Sequence, residues 1–214
     1  MTRRYVAKGS ATPLLVLAHG AGAGHDHPWM VRVAQGLAAR GVTVVTFNFP
    51  YKDAGRGLPD RGPVLEAAFG DVWRDEAVRA CGPMFAGGKS MGGRIASQVA
   101  ARGGFAPRPA GLVFFGYPLH PPGKPQQRRD RHLPAVAAPM LFQSGTRDPF
   151  GSPDELTALV AGLDRATLHV VEGGDHSLVA TRRVDPDGTA FDRVMDIAAE
   201  WMTSIHVPRA TGRE

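Results

Sequence analysis

Ser90 is flanked at two residues on either side by glycine, in Gly88-Lys89-Ser90-Met91-Gly92. A hydroxyl in that setting can attack an acyl carbon, provided that a base takes its proton and a carboxylate steers the base. The neighbouring stretches make the turn a sharp one. Residues 84–86 form a short apolar run with the character of a buried strand, and Met91, Ile95 and Val99 recur at the spacing of one helical face. Between strand and helix, glycines two before and two after the serine let the backbones approach while the serine is held up and exposed. The plain alternative is a Gly-rich turn that only joins two elements. Gly87-Gly88-Lys89-Ser90 also looks like the end of a phosphate-binding loop. That motif needs glycine at position 83, where Pro83 stands, and it would turn the run 84–86 into loop.

The base expected for Ser90 is His176, in the flexible turn Gly173-Gly174-Asp175-His176-Ser177 just past the last apolar run. A side chain there can reach back over a sheet. His169 falls inside a run, His206 near the C-terminus, and His25 and His27 on a Gly-rich loop. The orienting acid is expected between serine and histidine in chain order, and Asp148 qualifies. It follows the run 140–143, while Ser152 already serves to cap the next helix. Asp175, adjacent to the histidine, and Asp130, in a polar loop, are the weaker alternatives. The developing oxyanion needs two donors. The expected pair is the N–H of Met91, directly after the nucleophile, and that of Ala21 in His19-Gly20-Ala21-Gly22-Ala23-Gly24, where small residues let the main chain come close. This chemistry calls for no metal and no organic cofactor. His25 and His27 have metal-ligand spacing, but no third ligand accompanies them.

Apolar runs and amphipathic stretches alternate so as to hold these residues on one framework. Strands are expected at 14–18, 42–49, 84–86, 112–115, 140–143 and 167–171, with helices at 29–39, 64–80, 91–101, 152–162 and 189–205. Ser152-Pro153-Asp154-Glu155 combines a cap, a proline at the first helical position and a capping-box glutamate. The order βαβα implies an α/β fold: a doubly wound, mostly parallel open sheet with helices on both faces and strands buried on both sides. Residues 5–7 could add an edge strand. Residues 50–62 and 117–133 fit no element and follow strands, so they read as rims of a ligand site. Trp29, Phe49, Tyr51, Tyr117 and Leu119 lie in or beside such loops and are the expected substrate walls. Lys89 and Arg94 flank the serine turn, where they either favour an anionic substrate or are ion-paired or solvated.

A chain of 214 residues with 43% hydrophobic content supports one domain, expected over residues 1–206, with residues 207–214 as a disordered tail. The 27 glycines and 18 prolines are spread between apolar runs and indicate many turns. The single cysteine, Cys81, cannot form an internal disulfide, and no apolar leader follows the basic N-terminal residues, so the cytoplasm is the expected compartment. No apolar run approaches the roughly 20 residues of a membrane span. Net charge is +5, but without residues 124–131 it drops to +2, and the remaining basic residues carry no nucleic-acid motif. The expected partner is a small-molecule acyl substrate, with neither nucleic acid nor membrane. A protein partner is the alternative, using the Pro-rich segment 119–125 and the basic loop 124–131 as a docking surface.

Taken together, the stretch His19 to Gly22, Phe47-Asn48-Phe49-Pro50-Tyr51, Gly88-Lys89-Ser90-Met91-Gly92-Gly93-Arg94, the segment Tyr117 to Pro125 and Gly174-Asp175-His176-Ser177 resemble the α/β-hydrolase superfamily. Within it they are similar to a small lidless branch, dienelactone-hydrolase-like, that includes the testis-expressed hydrolase-like proteins. The resemblance implies the α/β-hydrolase fold without a lid domain, and Ser90, Asp148 and His176 as a catalytic triad. Dienelactone hydrolases use a cysteine nucleophile where Ser90 stands, so lactone specificity does not carry over. The activity implied is that of a serine esterase or thioesterase.

Overall fold

The alternating pattern resolves, in a computed structural model that describes residues 1–205, into seven strands and six α-helices. In chain order they are β1 (Thr2–Tyr5), β2 (Leu14–Ala18), α1 (Pro28–Ala39), β3 (Thr43–Phe47), α2 (Pro50–Asp53) and α3 (Gly62–Ala77). There follow β4 (Met84–Lys89), α4 (Met91–Ala101), β5 (Gly111–Phe115), β6 (Met140–Gly145), α5 (Pro153–Ala161), β7 (Ala166–Val171) and α6 (Ala190–Ser204). The tail expected at 207–214 lies outside the described residues. No helix among those described is long and apolar enough to cross a membrane.

One sheet runs in the order β1-β3-β2-β4-β5-β6-β7, parallel except for β1, which pairs antiparallel with β3. Successive side chains of a strand point to opposite faces, and the core divides accordingly. Leu14, Val16 and Ala18 of β2 join Phe47 and Phe114 under Leu65, Phe69 and Trp73 of α3, Ile95 and Val99 of α4 and Leu156 of α5. Leu15 and Leu17 point the other way, with Val44, Phe85 and Val113, under α1 and α6 through Met30, Val33, Leu37, Phe191, Val194 and Met202. Burying one such aliphatic or aromatic side chain is worth about 1.5–3 kcal/mol, so both helical layers are held by apolar contact. The chain leaves β2 toward β3 on one side and resumes at β4 on the other. That reversal opens a crevice at the carboxyl ends of β2 and β4, where such sheets bind ligands.

The elements differ from expectation mainly at their margins. β4 and β6 extend to Lys89 and Gly145 because glycines, read as loop, continue the ladder to the edge of the crevice. α3 begins at Gly62 and stops at Ala77, and α2 forms one turn inside the segment expected to be irregular. The edge strand lies at Thr2–Tyr5 rather than 5–7. β7 closes the sheet at its edge, so its residues are mostly exposed or half-buried and only Val171 is buried. The helix start at Ser152 forms both bonds of the capping box. Among the described residues no insertion forms a lid domain over the crevice.

Candidate active site

Ser90 occupies the single residue between the end of β4 and the start of α4. Its backbone has φ 51° and ψ −117°, a conformation that L side chains rarely adopt and that costs about 1–3 kcal/mol. The surroundings hold it there. Ser90 N donates to Phe115 O at 3.1 Å, and strand and helix approach so closely that no side chain fits at the flanking glycines. A Cβ on Gly88 would stand 2.5 Å from Gly92 C and 2.7 Å from Ala18 O, and one on Gly92 would stand 2.4 Å from Ala18 O.

His176 and Asp148 are brought together by two loops pressed against each other. The end of β6 meets the loop after β7 at Gly145, where a Cβ would lie 2.1 Å from Gly174 O. Arg147 N donates to Gly174 O at 2.8 Å, and Gly173 N donates to Thr146 Oγ1 at 2.8 Å. Across this junction His176 Nδ1 lies 2.9 Å and 2.8 Å from the two carboxylate oxygens of Asp148. On its other edge, His176 Nε2 lies 2.9 Å from Ser90 Oγ. The Asp148 side chain is fully buried, and its Oδ1 also accepts from Phe150 N at 2.9 Å. The Phe150 ring packs on the imidazole with centroids 4.1 Å apart, an arrangement nothing local in the sequence announces. The alternative acids are engaged elsewhere: Asp175 Oδ1 accepts from Ser177 N and Val179 N, and Asp130 pairs with Arg128.

The N–H groups of Met91 and Ala21 donate to nothing among the described residues, and both residues line the cavity that holds Ser90. Two buried side chains, neither foreseen in this role, fix the Ala21 loop. Tyr51 Oη donates to Ala21 O at 2.8 Å. His19, with 0% exposure, accepts from Phe49 N at Nε2 (3.1 Å), so its proton is on Nδ1, which donates to Gly20 O (2.8 Å). Burial is the chief reason its pKa falls from 6.5 to about 4. Lys89 Nζ donates to His176 O at 2.5 Å, tying the serine turn to the histidine loop. Burial is again the largest influence, and it outweighs the carboxylates of Asp148 and Asp175 to bring the ammonium pKa down to about 8.

The cavity has a volume of about 670 Å³ and is lined on the protein side by Ala21, Trp29, Leu65, Met91, Phe150 and His176, among others. Of the five expected wall residues, Trp29 lines it, and its Nε1 donates to Ser177 O at 2.9 Å. Phe49, Tyr51, Tyr117 and Leu119 do not. Each is at most 1% exposed and lies in the core beneath the α3–α4 layer. Other lining residues are Pro59, Asp60 and Gly62, with Pro118 and Arg129 from the segment after β5. Within the expected docking segment, Leu119 and His120 are buried, and Arg128 pairs with Asp130 and Glu155. Among the described residues no group of three or more His, Cys, Asp or Glu could hold a metal ion.

A doubly wound sheet whose fourth strand ends on a strained serine, facing a histidine and a buried aspartate, has the form of an α/β-hydrolase. The family model described as alpha/beta hydrolase domain matches residues 11–205, and the chain belongs to that family. Among solved structures it is similar to Est1E from Butyrivibrio proteoclasticus with ferulic acid bound, at TM-score 0.73 and 14% identity, over 96% of this chain and 94% of that one. It is also similar to the dienelactone hydrolase from Anabaena variabilis, at TM-score 0.73 and 20% identity, over 96% and 92%. A serine hydrolase homologue from Coxiella burnetii aligns at TM-score 0.67 and 18% identity, over 94% and 88%.

Proposed function

We propose that this protein is a serine hydrolase that cleaves a carboxylic ester or thioester through an acyl-enzyme. The observation that supports this reading most is the unbroken line of contacts Ser90 Oγ to His176 Nε2 at 2.9 Å and His176 Nδ1 to Asp148 Oδ2 at 2.8 Å. In this reading Ser90 Oγ attacks the acyl carbon while His176 Nε2 takes its proton. Asp148 keeps the other imidazole proton on Nδ1 and stabilises the imidazolium that forms. The N–H groups of Met91 and Ala21, which have no other acceptor among the described residues, receive the oxyanion. His176 then gives its proton to the leaving oxygen or sulfur, and the same imidazole deprotonates the water that releases the acyl group.

A fluorophosphonate probe tests the nucleophile directly. Labelling of the wild type that disappears in Ser90→Ala is the expected result. A folded wild type that stays unlabelled would favour a hydrolase-like interaction protein in its place. A chain-length series of p-nitrophenyl acyl esters, run beside acyl thioesters, then separates the two leaving groups.

A further inference from the structure

The cavity over Ser90 carries more positive charge than acyl transfer uses. Lys89, Arg94 and Arg129 line it against one carboxylate, Asp60, which already accepts from Arg56 at 2.6 Å. Lys89 is committed to the His176 carbonyl, whereas the two arginines are largely uncommitted. Of the five N–H donors of a guanidinium, Arg94 uses one among the described residues, from Nη1 to Gln98 Oε1 at 3.2 Å, and its Nε is buried with no partner there. No carboxylate among the described residues is within ion-pair distance of either arginine. Glu66, the acid that acts on Arg94 from a distance, is paired with Arg102 at 2.6 Å. The Arg129 guanidinium has no hydrogen bond among the described residues, although its main chain is pinned: Arg129 N donates to Leu119 O, and Tyr117 Oη donates to Arg129 O, both at 2.9 Å.

Two like charges turned toward one cavity are unfavourable unless something negative joins them. Burial, and then the charge of Arg129, push the Arg94 guanidinium below its ordinary range. Arg94 also sits one helical turn beyond the nucleophile, its N–H donating to Ser90 O at 3.2 Å, so it lies about 6 Å further along the helix axis. Both arginines line the same cavity as Ser90, so an anion held there shares that cavity with an acyl group on the serine.

We propose that Arg94 and Arg129 form a subsite for an anionic group of the substrate, a carboxylate or a phosphate, so that the preferred acyl compounds are anionic. The substrate assignment rests on the hydrolase reading of Ser90, while the subsite itself can be tested apart from turnover. The kinetic test compares p-nitrophenyl hemiglutarate with the neutral p-nitrophenyl pentanoate. The hemiglutarate should be preferred in kcat/KM by about 10- to 100-fold, the range of a charge-assisted hydrogen bond, and the preference should collapse in Arg94→Gln and in Arg129→Gln. Glutarate and inorganic phosphate serve as competitors, and the tighter of the two identifies the anion. Equal use of both esters by the wild type, with neither anion competing, would overturn the proposal and leave the hydrolase reading intact. If neither ester is turned over and the fluorophosphonate does not label, the hydrolase reading falls, and calorimetric titration of glutarate and phosphate decides the subsite. Binding that is lost in Arg129→Gln, a loop substitution away from the packed helix, supports it, and no heat in the wild type sinks it.

Discussion

His176 presents Nδ1 to both carboxylate oxygens of Asp148, at 2.9 and 2.8 Å, and the carboxylate it faces is shut off from solvent. The ring is therefore held by two contacts in a medium where each is stronger than it would be in water. An amide at position 148 would keep the shape but lose the charge, and its NH₂ could turn the ring to the wrong tautomer. Asp148→Asn should lower acyl-ester kcat by about 10³- to 10⁴-fold with KM little changed. Steady-state kinetics on p-nitrophenyl acetate check this, and a near-normal rate would move the orienting acid elsewhere.

The serine turn has no room for a methyl group. At Gly92 an added Cβ would meet main-chain atoms of Ala18 and His19 at 2.4 to 2.8 Å, and backbone cannot move aside as a flexible side chain can. Gly92→Ala should destabilise the fold by about 1–3 kcal/mol, the usual cost of overpacking, and should abolish fluorophosphonate labelling in whatever fraction folds. Gly22→Ala is the control. Apart from its two chain neighbours, no atom of the described residues lies within 4 Å of a Cβ there, so the stability measured in urea should be unaffected.

Much of this arrangement was legible in the sequence, for physical reasons that differ from residue to residue. Gly88 and Gly92 around Ser90 mark a close approach of backbones that only glycine permits, and the flanking periodicities tell strand from helix. Asp148 and His176 each follow a strand, which sets the end of the sheet they occupy. The walls were not legible to the same degree. Phe49, Tyr51, Tyr117 and Leu119 also follow strands, but location past a strand does not say which way a side chain turns, and all four turn inward. Arg129 and Phe150 reach the cavity through loop geometry, and neither carries a local pattern that would single it out.

Tyr51 is one of those inward residues, and its hydroxyl reaches the Ala21 carbonyl at 2.8 Å. Removing it would free the loop whose N–H is proposed to hold the oxyanion, without touching Ser90 or His176. Tyr51→Phe should cost about 1 kcal/mol of stability, the worth of one hydrogen bond, and lower kcat several-fold more than it raises KM. A raised KM with kcat unchanged would assign Tyr51 to substrate binding instead.

His19 makes the fold sensitive to acid. Its pKa in the folded chain is about 4 against 6.5 in the ordinary state, so between those values the unfolded chain binds a proton that the folded chain refuses. Stability from this group is complete above pH 6.5 and is lost as pH falls toward 4, by on the order of 3 kcal/mol. Urea unfolding at pH 7, 5.5 and 4 should register that loss in the wild type. His19→Gln should start less stable at pH 7, because Phe49 N–H and Gly20 O lose their fitted partner, yet fall less on acidification.

Lys89 acts in the same direction, but in an alkaline window. Its ammonium titrates near 8 in the folded chain and near 10.5 when free, so the unfolded chain holds the extra proton between those values. By linkage, its burial penalty is present in full below pH 8 and is relieved as pH rises toward 10.5, which gives a rising stability of up to about 3 kcal/mol before solvent screening is allowed for. Lys89→Met removes the titrating group, so the difference in unfolding free energy between wild type and variant should grow in favour of the wild type from pH 8 to 10. The same substitution breaks the 2.5 Å bond to His176 O. Turnover of a neutral ester should therefore fall several-fold at pH 7, where Lys89 is still charged, and a variant as fast as the wild type would show that the histidine loop holds its place without this tether.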